Sequence, residues 1–379
     1  MLGGGYSYPP PFAVGMVPLA ALPFGVAVAL FTALSVAVFA TTIAWWLQRV
    51  VRGAGSTGRR RVLALGAGLY PPVAGSVFAG QANLLVVGLL GLGLAPFIPT
   101  LRAAGRLRSV GSGVLIGLAG IVKLAPLVLA LPLALAAAGA RDADGGARDA
   151  DGRARGAGAA LVGIVLGVVG SVGLAALVAP AANQGAGALS DLFAPDPFWT
   201  NQSINGAVSR LFLDGDRTRA LFSGDPLPAI VALTAALAVA TGVVLVRAFA
   251  GSRRADPGVL ALALSLSIVA AAVGAPKNSF WNDAPVLLAV ALALAAVRRP
   301  QGNFVRALGG TWLVATVVEV VSDPIHGPFD GAVAPLRTLA SDAGVVGLLG
   351  LWLAIAVILL DGDPASIPPT AVRGRDAGA

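Results

Sequence analysis

Apolar runs long enough to cross a bilayer recur along the whole chain, at about 24–48, 62–79, 82–100, 158–180, 227–247, 257–275, 284–298, 304–321 and 342–360. In hydrocarbon a chain must satisfy its backbone hydrogen bonds internally, so each such run is expected to be a helix of roughly 20 residues. Charged residues make up only 12% of the 379, against about 25% in a soluble domain, and the mean hydropathy is +0.85. The fold class this predicts is all-α: a polytopic integral membrane protein, one transmembrane helix bundle with short interfacial helices at its outer face. Residues 1–360 are expected to form that single domain and 361–379 a disordered cytoplasmic tail. The opening GGGYSYPPPF reads as a turn-rich loop rather than a first span, like sequence from the middle of a protein.

Several function classes drop out on composition. Cysteine is absent, which removes disulfides, thiolate catalysis and thiolate metal sites, and a lone histidine, His326, cannot build a multi-histidine metal centre. No metal or cofactor is expected. The net charge of +8 is spread over short loops, a pattern that orients a membrane protein and does not suggest nucleic-acid binding.

The stretch 110–139 is ambiguous, because Lys123 and Pro126 interrupt about 30 apolar residues. Lys123 and Lys277 are the only lysines among 26 basic residues. A lysine inside a span costs roughly 2.5–3.5 kcal/mol on insertion scales, and Pro126 breaks a helix there. The alternative is a lysine snorkelling near a helix end. The positive-inside rule decides between one span and a hairpin. Arg49, Arg52 and Arg59–Arg61 lie after the first long run, and Arg102, Arg106 and Arg108 lie after the third. Only a hairpin also puts Arg247, Arg253, Arg254, Arg298, Arg299 and Arg306 on that same cytoplasmic side. Lys123 is then expected at the hairpin's outer tip.

With that topology the uncommon polar residues gather outside: Tyr6–Pro11, Gly80–Asn83, the Lys123 tip, the segment 181–226, Ala275–Asp283 and Ser322–Asp330. Gln81 and Asn83 offer amides that suit sugar hydroxyls, or that cap a helix start. Trp199–Leu213 carries Asn201, Gln202 and Asn205 before apolar residues at helical spacing, so a short interfacial helix is expected with these amides at its entrance; a plain loop is the alternative. In Ala275–Asp283, Lys277 and Asp283 could form an exposed ion pair, and Trp281 suits a membrane interface. Glu319, the sole glutamate, and His326 could titrate, or could simply be solvated. The segment 141–157, RDADGGARDADGRARGA, reads as a flexible linker, its Asp-x-Asp spacing being low-complexity sequence more than a metal site.

Four pieces, in order, carry a resemblance: YSYPPPFAVGMVPLAALPF, FAGQANLLVVGLL, GLAGIVKLAPLVLALPL and NQSINGAVSRL. Together they resemble glycosyltransferase family 87, GT-C-type bacterial membrane enzymes that include mannosyltransferases and arabinofuranosyltransferase-like proteins of actinobacteria. The resemblance covers most of 6–298. It implies a polyprenyl-phosphate sugar as donor, a cell-envelope glycolipid or glycan as acceptor, and membrane lipid around a site on the outer face of the plasma membrane. It also implies Lys123 as the contact to the donor phosphate, with Gln81, Asn83, Asn201, Gln202 and Asn205 as polar residues of the outer-face cavity. Tyr8, Lys277 and Trp281, on the same face, are expected to join them around sugar and acceptor.

The sequence departs from the family in two places. The aspartate that the family carries upstream of its Tyr-x-Tyr-Pro-Pro stretch has no counterpart before Asp142. A Trp-Asp-His-His-like stretch is replaced by Trp281-Asn-Asp-Ala284. The remaining carboxylate candidates for a base are Asp283 and Glu319. The rival readings are a lipid or small-solute transporter, which would show internal repeats and a polar path through mid-membrane, and a catalytically inactive paralogue lacking the upstream aspartate.

Overall fold

A computed structural model describes residues 8–50, 67–68, 70–99, 101, 105–139, 148–178, 194–215, 218–250, 256–297, 299–322 and 334–361. Glu319 lies in a described helix, but its side chain is not described. His326, Arg52, Arg59–Arg61, Arg102, Arg253, Arg254, Arg298, the tail beyond Asp361 and all of 181–193 lie outside the described residues.

The described residues form fourteen α-helices and no strand. In chain order they are α1 (Pro10–Ala20), α2 (Phe24–Val50), α3 (Pro71–Phe78), α4 (Asn83–Leu94), α5 (Arg106–Val122), α6 (Ala130–Gly139) and α7 (Arg148–Val178). Then follow α8 (Ile204–Phe212), α9 (Leu227–Ala248), α10 (Pro257–Gly274), α11 (Val286–Ala296), α12 (Arg299–Ser322), α13 (Ala334–Ser341) and α14 (Ala343–Leu360). Short 3₁₀ turns occupy Ala95–Phe97, Ala125–Leu129 and Phe280–Asp283. Among the described residues five helices are long and apolar enough to cross a membrane: those at Phe24–Gln48, Arg155–Val178, Leu227–Ala248, Pro257–Gly274 and Ala343–Leu360.

Apolar side chains fill the core, as in a water-soluble bundle, but they also cover the outside. The outer helices α2, α7 and α9 expose large apolar side chains such as Leu34, Val169 and Val239, while α10 is mostly buried at the centre. An apolar surface of this kind is what lipid solvates, and with five spans it identifies a multi-pass membrane protein.

The 110–139 stretch is a hairpin. A glycine seam fixes the direction of its first arm: Gly113 lies against the Ala160 backbone and Gly117 against that of Ile164, so α5 and α7 run parallel. Gly158 near the start of α7 meets Ala137 near the end of α6, so α6 runs the other way. Lys123, extended at φ −145° and ψ 132°, ends α5 and starts the reversal. Pro126 sits in the 3₁₀ turn that follows, where its missing N–H does no harm.

Three sequence expectations are corrected. The Pro-rich opening is helical from Pro10, because a proline in the first turn lacks only an N–H that would be unpaired anyway. The 62–79 run is not one span, since Tyr70 is the extended N-cap of an eight-residue helix starting at Pro71. The linker is helical from Arg148, continuous with the apolar part of α7, and Ala and Arg in it favour that state.

Helix contact at the seam is backbone to backbone. A Cβ on Gly113 would stand 1.8 Å from the Ala160 carbonyl oxygen, and one on Gly163 would stand 2.1 Å from that of Val110. Gly111, two residues away, faces open space. Gly113→Val is therefore expected to lower the thermal unfolding midpoint in detergent sharply, since overpacking costs about 1–3 kcal/mol or more. Gly111→Val should shift it far less, and equal shifts would refute the seam.

Candidate active site

One end of the bundle collects the polar side chains. Three connections build it: Tyr8 before α1 with the α3–α4 turn, the Lys123 reversal, and two segments, 194–203 and 275–283, spliced to each other. The opposite end carries Arg106, Arg108, Arg247, Arg299 and Arg306, at or near helix termini. Both lysines lie at the first end, in agreement with the expected topology.

The splice is a short antiparallel bridge between Asn201 and Ser279. Its backbone bonds run from Gln202 N–H to Asn278 C=O at 2.7 Å and from Phe280 N–H to Thr200 C=O at 3.0 Å. Side chains lock it. The Asn201 side-chain oxygen accepts from the Asn278 N–H at 2.9 Å and from the Ser203 hydroxyl at 2.8 Å. Asn205 accepts from the Asp196 N–H and the Ser209 hydroxyl, and donates to the Ala194 carbonyl. Asn201, Gln202 and Asn205 are 1%, 0% and 3% exposed. The expected short helix is present as α8, N-capped by Ser203, whose Oγ accepts from the Gly206 N–H. Of the amides placed at its entrance by the sequence reading, Asn201 points into the splice, Asn205 braces the 194–196 segment, and Gln202 lies against Gly344 in the first turn of α14.

Arg210 clamps this platform to the start of α14. Fully buried, it donates to the carbonyls of Phe198 and Asn201 and forms an ion pair with Asp342, the residue preceding α14. Burial pushes the Asp342 carboxyl above its usual range, against the pull of the guanidinium. The pair was invisible in the sequence because its members stand 132 residues apart.

Lys123 lies between two arms of the site. Its ammonium donates to the Asn282 side-chain oxygen at 2.5 Å and stands 5.6 Å from the centre of the Tyr8 ring. Among the described residues no carboxylate pairs with it. Tyr8 is itself held: its hydroxyl donates to the Gln81 side-chain oxygen at 2.5 Å and accepts from the Ala82 N–H at 3.1 Å. Burial raises the phenol's pKa, so it stays protonated and keeps its proton on the bond to Gln81. Gly80, at φ +62°, makes the tight turn that delivers Gln81 and Ala82. Asn83 is buried and donates to the Ser76 hydroxyl at 3.1 Å; it opens α4 rather than capping it. Ser76 in turn meets the Trp281 carbonyl at 3.1 Å, and Trp281 is half-buried with its ring against Phe280.

Lys277 and Asp283 do not form the expected ion pair. Lys277 is exposed, whereas Asp283 is 0% exposed and accepts from the Asn278 amide at 2.7 Å. The 3₁₀ turn over Phe280–Asp283 points consecutive residues to different sides, Asn282 towards Lys123 and Asp283 into the interior. Asn282 and Arg210 lie in stretches that the sequence marks as polar but without a role for either, and Asp342 is not singled out there.

Removing one partner of a buried ion pair strands the other, at a cost of about 3–5 kcal/mol. Arg210→Met should thus lower the unfolding midpoint far more than Arg219→Met, whose pairing with Asp214 is exposed. A thermal scan of both purified variants checks this, and similar shifts would contradict the clamp.

The family model for glycosyltransferase family 87 matches residues 6–276, which takes in Tyr8, the Gly80–Asn83 turn, Lys123 and the Asn201–Arg210 platform. Comparison with curated proteins and with solved structures returned no match. An all-α membrane bundle with its polar side chains gathered at one end, matched over more than two thirds of its length, belongs to glycosyltransferase family 87 and is a glycosyltransferase.

Proposed function

We propose that this enzyme moves a hexose or pentose, mannose or arabinofuranose, from a polyprenyl-phosphate donor to a cell-envelope glycolipid or polysaccharide. The reaction takes place at the outer face of the plasma membrane. The observation that carries the reading is Lys123: a lysine at the reversal of an apolar hairpin, partnered by a neutral amide and an aromatic ring and by no described carboxylate. An anionic ligand complements such a group, and at the edge of a membrane a lipid phosphate is within its reach.

In the transfer the acceptor hydroxyl attacks the anomeric carbon, the bond from that carbon to the phosphate oxygen breaks, and the lipid phosphate leaves with the electron pair. The hydroxyl proton passes to a carboxylate base. Lys123 stabilises the charge that grows on the departing oxygen, where a fixed cation in a site of low dielectric acts most strongly. Tyr8 and Gln81 line the same corner and offer hydroxyl and amide groups to the sugar. Lys277 and Trp281 face the acceptor. Asn83, Asn201, Gln202 and Asn205 serve the site from behind, by shaping the segments that carry these groups. Glu319 and Asp283 are the base candidates, and the deep burial of Asp283 favours a supporting role for it.

Lys123→Ala is expected to reduce sugar transfer from polyprenyl-phosphate mannose or arabinofuranose by about 100-fold or more, the range for losing one group that stabilises an oxyanion. The rate is to be followed in vesicles containing the purified enzyme. Transfer retained at the parent rate would remove the phosphate assignment.

A further inference from the structure

Asn282 touches the one group on which the proposed chemistry depends, and it lies beyond residue 276, where the family match ends. Its side-chain oxygen accepts from the Lys123 ammonium. The backbone behind it is firm: the Asn282 N–H bonds the Ser279 carbonyl at 2.7 Å, and Ser279 is the bridge partner of Asn201. The lysine is thus tied, through one amide, to the splice that holds the polar end together.

The choice of a neutral acceptor has an electrostatic consequence. A carboxylate at this distance would neutralise the ammonium and compete with any phosphate for it. An amide oxygen orients the ammonium and stabilises its charge, but leaves that charge uncancelled. The charged groups of the neighbouring elements do not interfere. The helix α1 and the turn Ala125–Leu129 carry none, and the charges of α5 lie in its first turn, at Arg106 and Arg108. Lys277 is exposed, the Tyr8 phenol is neutral, and Asp283 in the same turn is directed inward onto Asn278.

We propose that Asn282 is a positioning residue, whose side-chain oxygen holds the Lys123 ammonium charged and directed at the donor phosphate without neutralising it. The inference rests on the reading of Lys123 as the phosphate contact. Two effects follow from the geometry. Losing the acceptor destabilises the ammonium, so the lysine loses its proton at lower pH. Replacing the acceptor by a carboxylate stabilises the ammonium but occupies it.

The test is binding of polyprenyl monophosphate to the full-length protein in detergent from pH 5 to pH 10, for the parent, Asn282→Ala, Asn282→Asp and Lys123→Ala. Burial lowers the pKa of the Lys123 ammonium to about 7, so the parent should lose affinity as the pH rises through that value and Lys123 deprotonates. Asn282→Ala should lose it about 1 pH unit earlier and Asn282→Asp about 1 unit later, the usual scale for gaining or losing one such partner. At pH 7 Asn282→Asp should also bind several-fold more weakly than the parent. A residue that merely fills space would leave the alkaline midpoint in place, so an unmoved midpoint in either folded variant overturns the proposal. Should Asn282→Ala fail to fold, Asn282→Asp carries the test alone. Undiminished binding by Lys123→Ala would instead overturn the phosphate reading itself.

Discussion

Two backbone hydrogen bonds, Gln202 to Asn278 and Phe280 to Thr200, join segments that are far apart in sequence and would otherwise leave unpaired peptide groups at the end of an apolar bundle. A helical membrane protein cannot leave such groups facing lipid, and irregular backbone survives only where protein pairs it. The splice solves that problem and, in doing so, sets everything around it. It orients the 3₁₀ turn that divides Asn282 from Asp283, gives Arg210 two of its carbonyl partners, and with Ser203 occupies the side-chain oxygen of Asn201. Amides at this end are thus of two kinds. Those of the splice are consumed by the fold, and those of Gln81 and Asn282 meet Tyr8 and Lys123.

Most of the bundle was legible in the sequence. The apolar runs at 227–247, 257–275 and 342–360 coincide with helices to within a residue or two, because continuous apolar sequence bounded by polar or Pro-containing turns leaves a chain in lipid few options. The hairpin was legible too, through arginine placement and not through local propensity. Where prolines or mixed charges dominated, local signals misled. Pro9–Pro11 suggested a loop but starts a helix, and RDADGRARGA suggested a linker but is carried into α7 by its apolar continuation.

The site was legible as a list of residue types and not as an arrangement. Lys123 and the Gly80–Asn83 turn stood out because polar residues are rare in such a chain. What could not be seen was which amides would be spent on packing. That depends on pairings over 77 residues for Asn201 with Asn278, 159 for Lys123 with Asn282 and 132 for Arg210 with Asp342. Asp283 shows the same limit at the shortest range: a 3₁₀ turn sends adjacent side chains to opposite environments, and nothing in Trp281-Asn-Asp announces which goes where.

The glycine seam between α5 and α7 bears on more than stability. Four glycines, Gly113, Gly117, Gly163 and Gly167, bring the two backbones so close that neither helix has room to slide along the other. Lys123 is the next residue after α5, so its height above the bundle's midplane is set by that lock. The seam makes the lysine a depth gauge. On the proposed function, the donor phosphate would then be met at one level of the membrane, whatever the length of the tail beneath it.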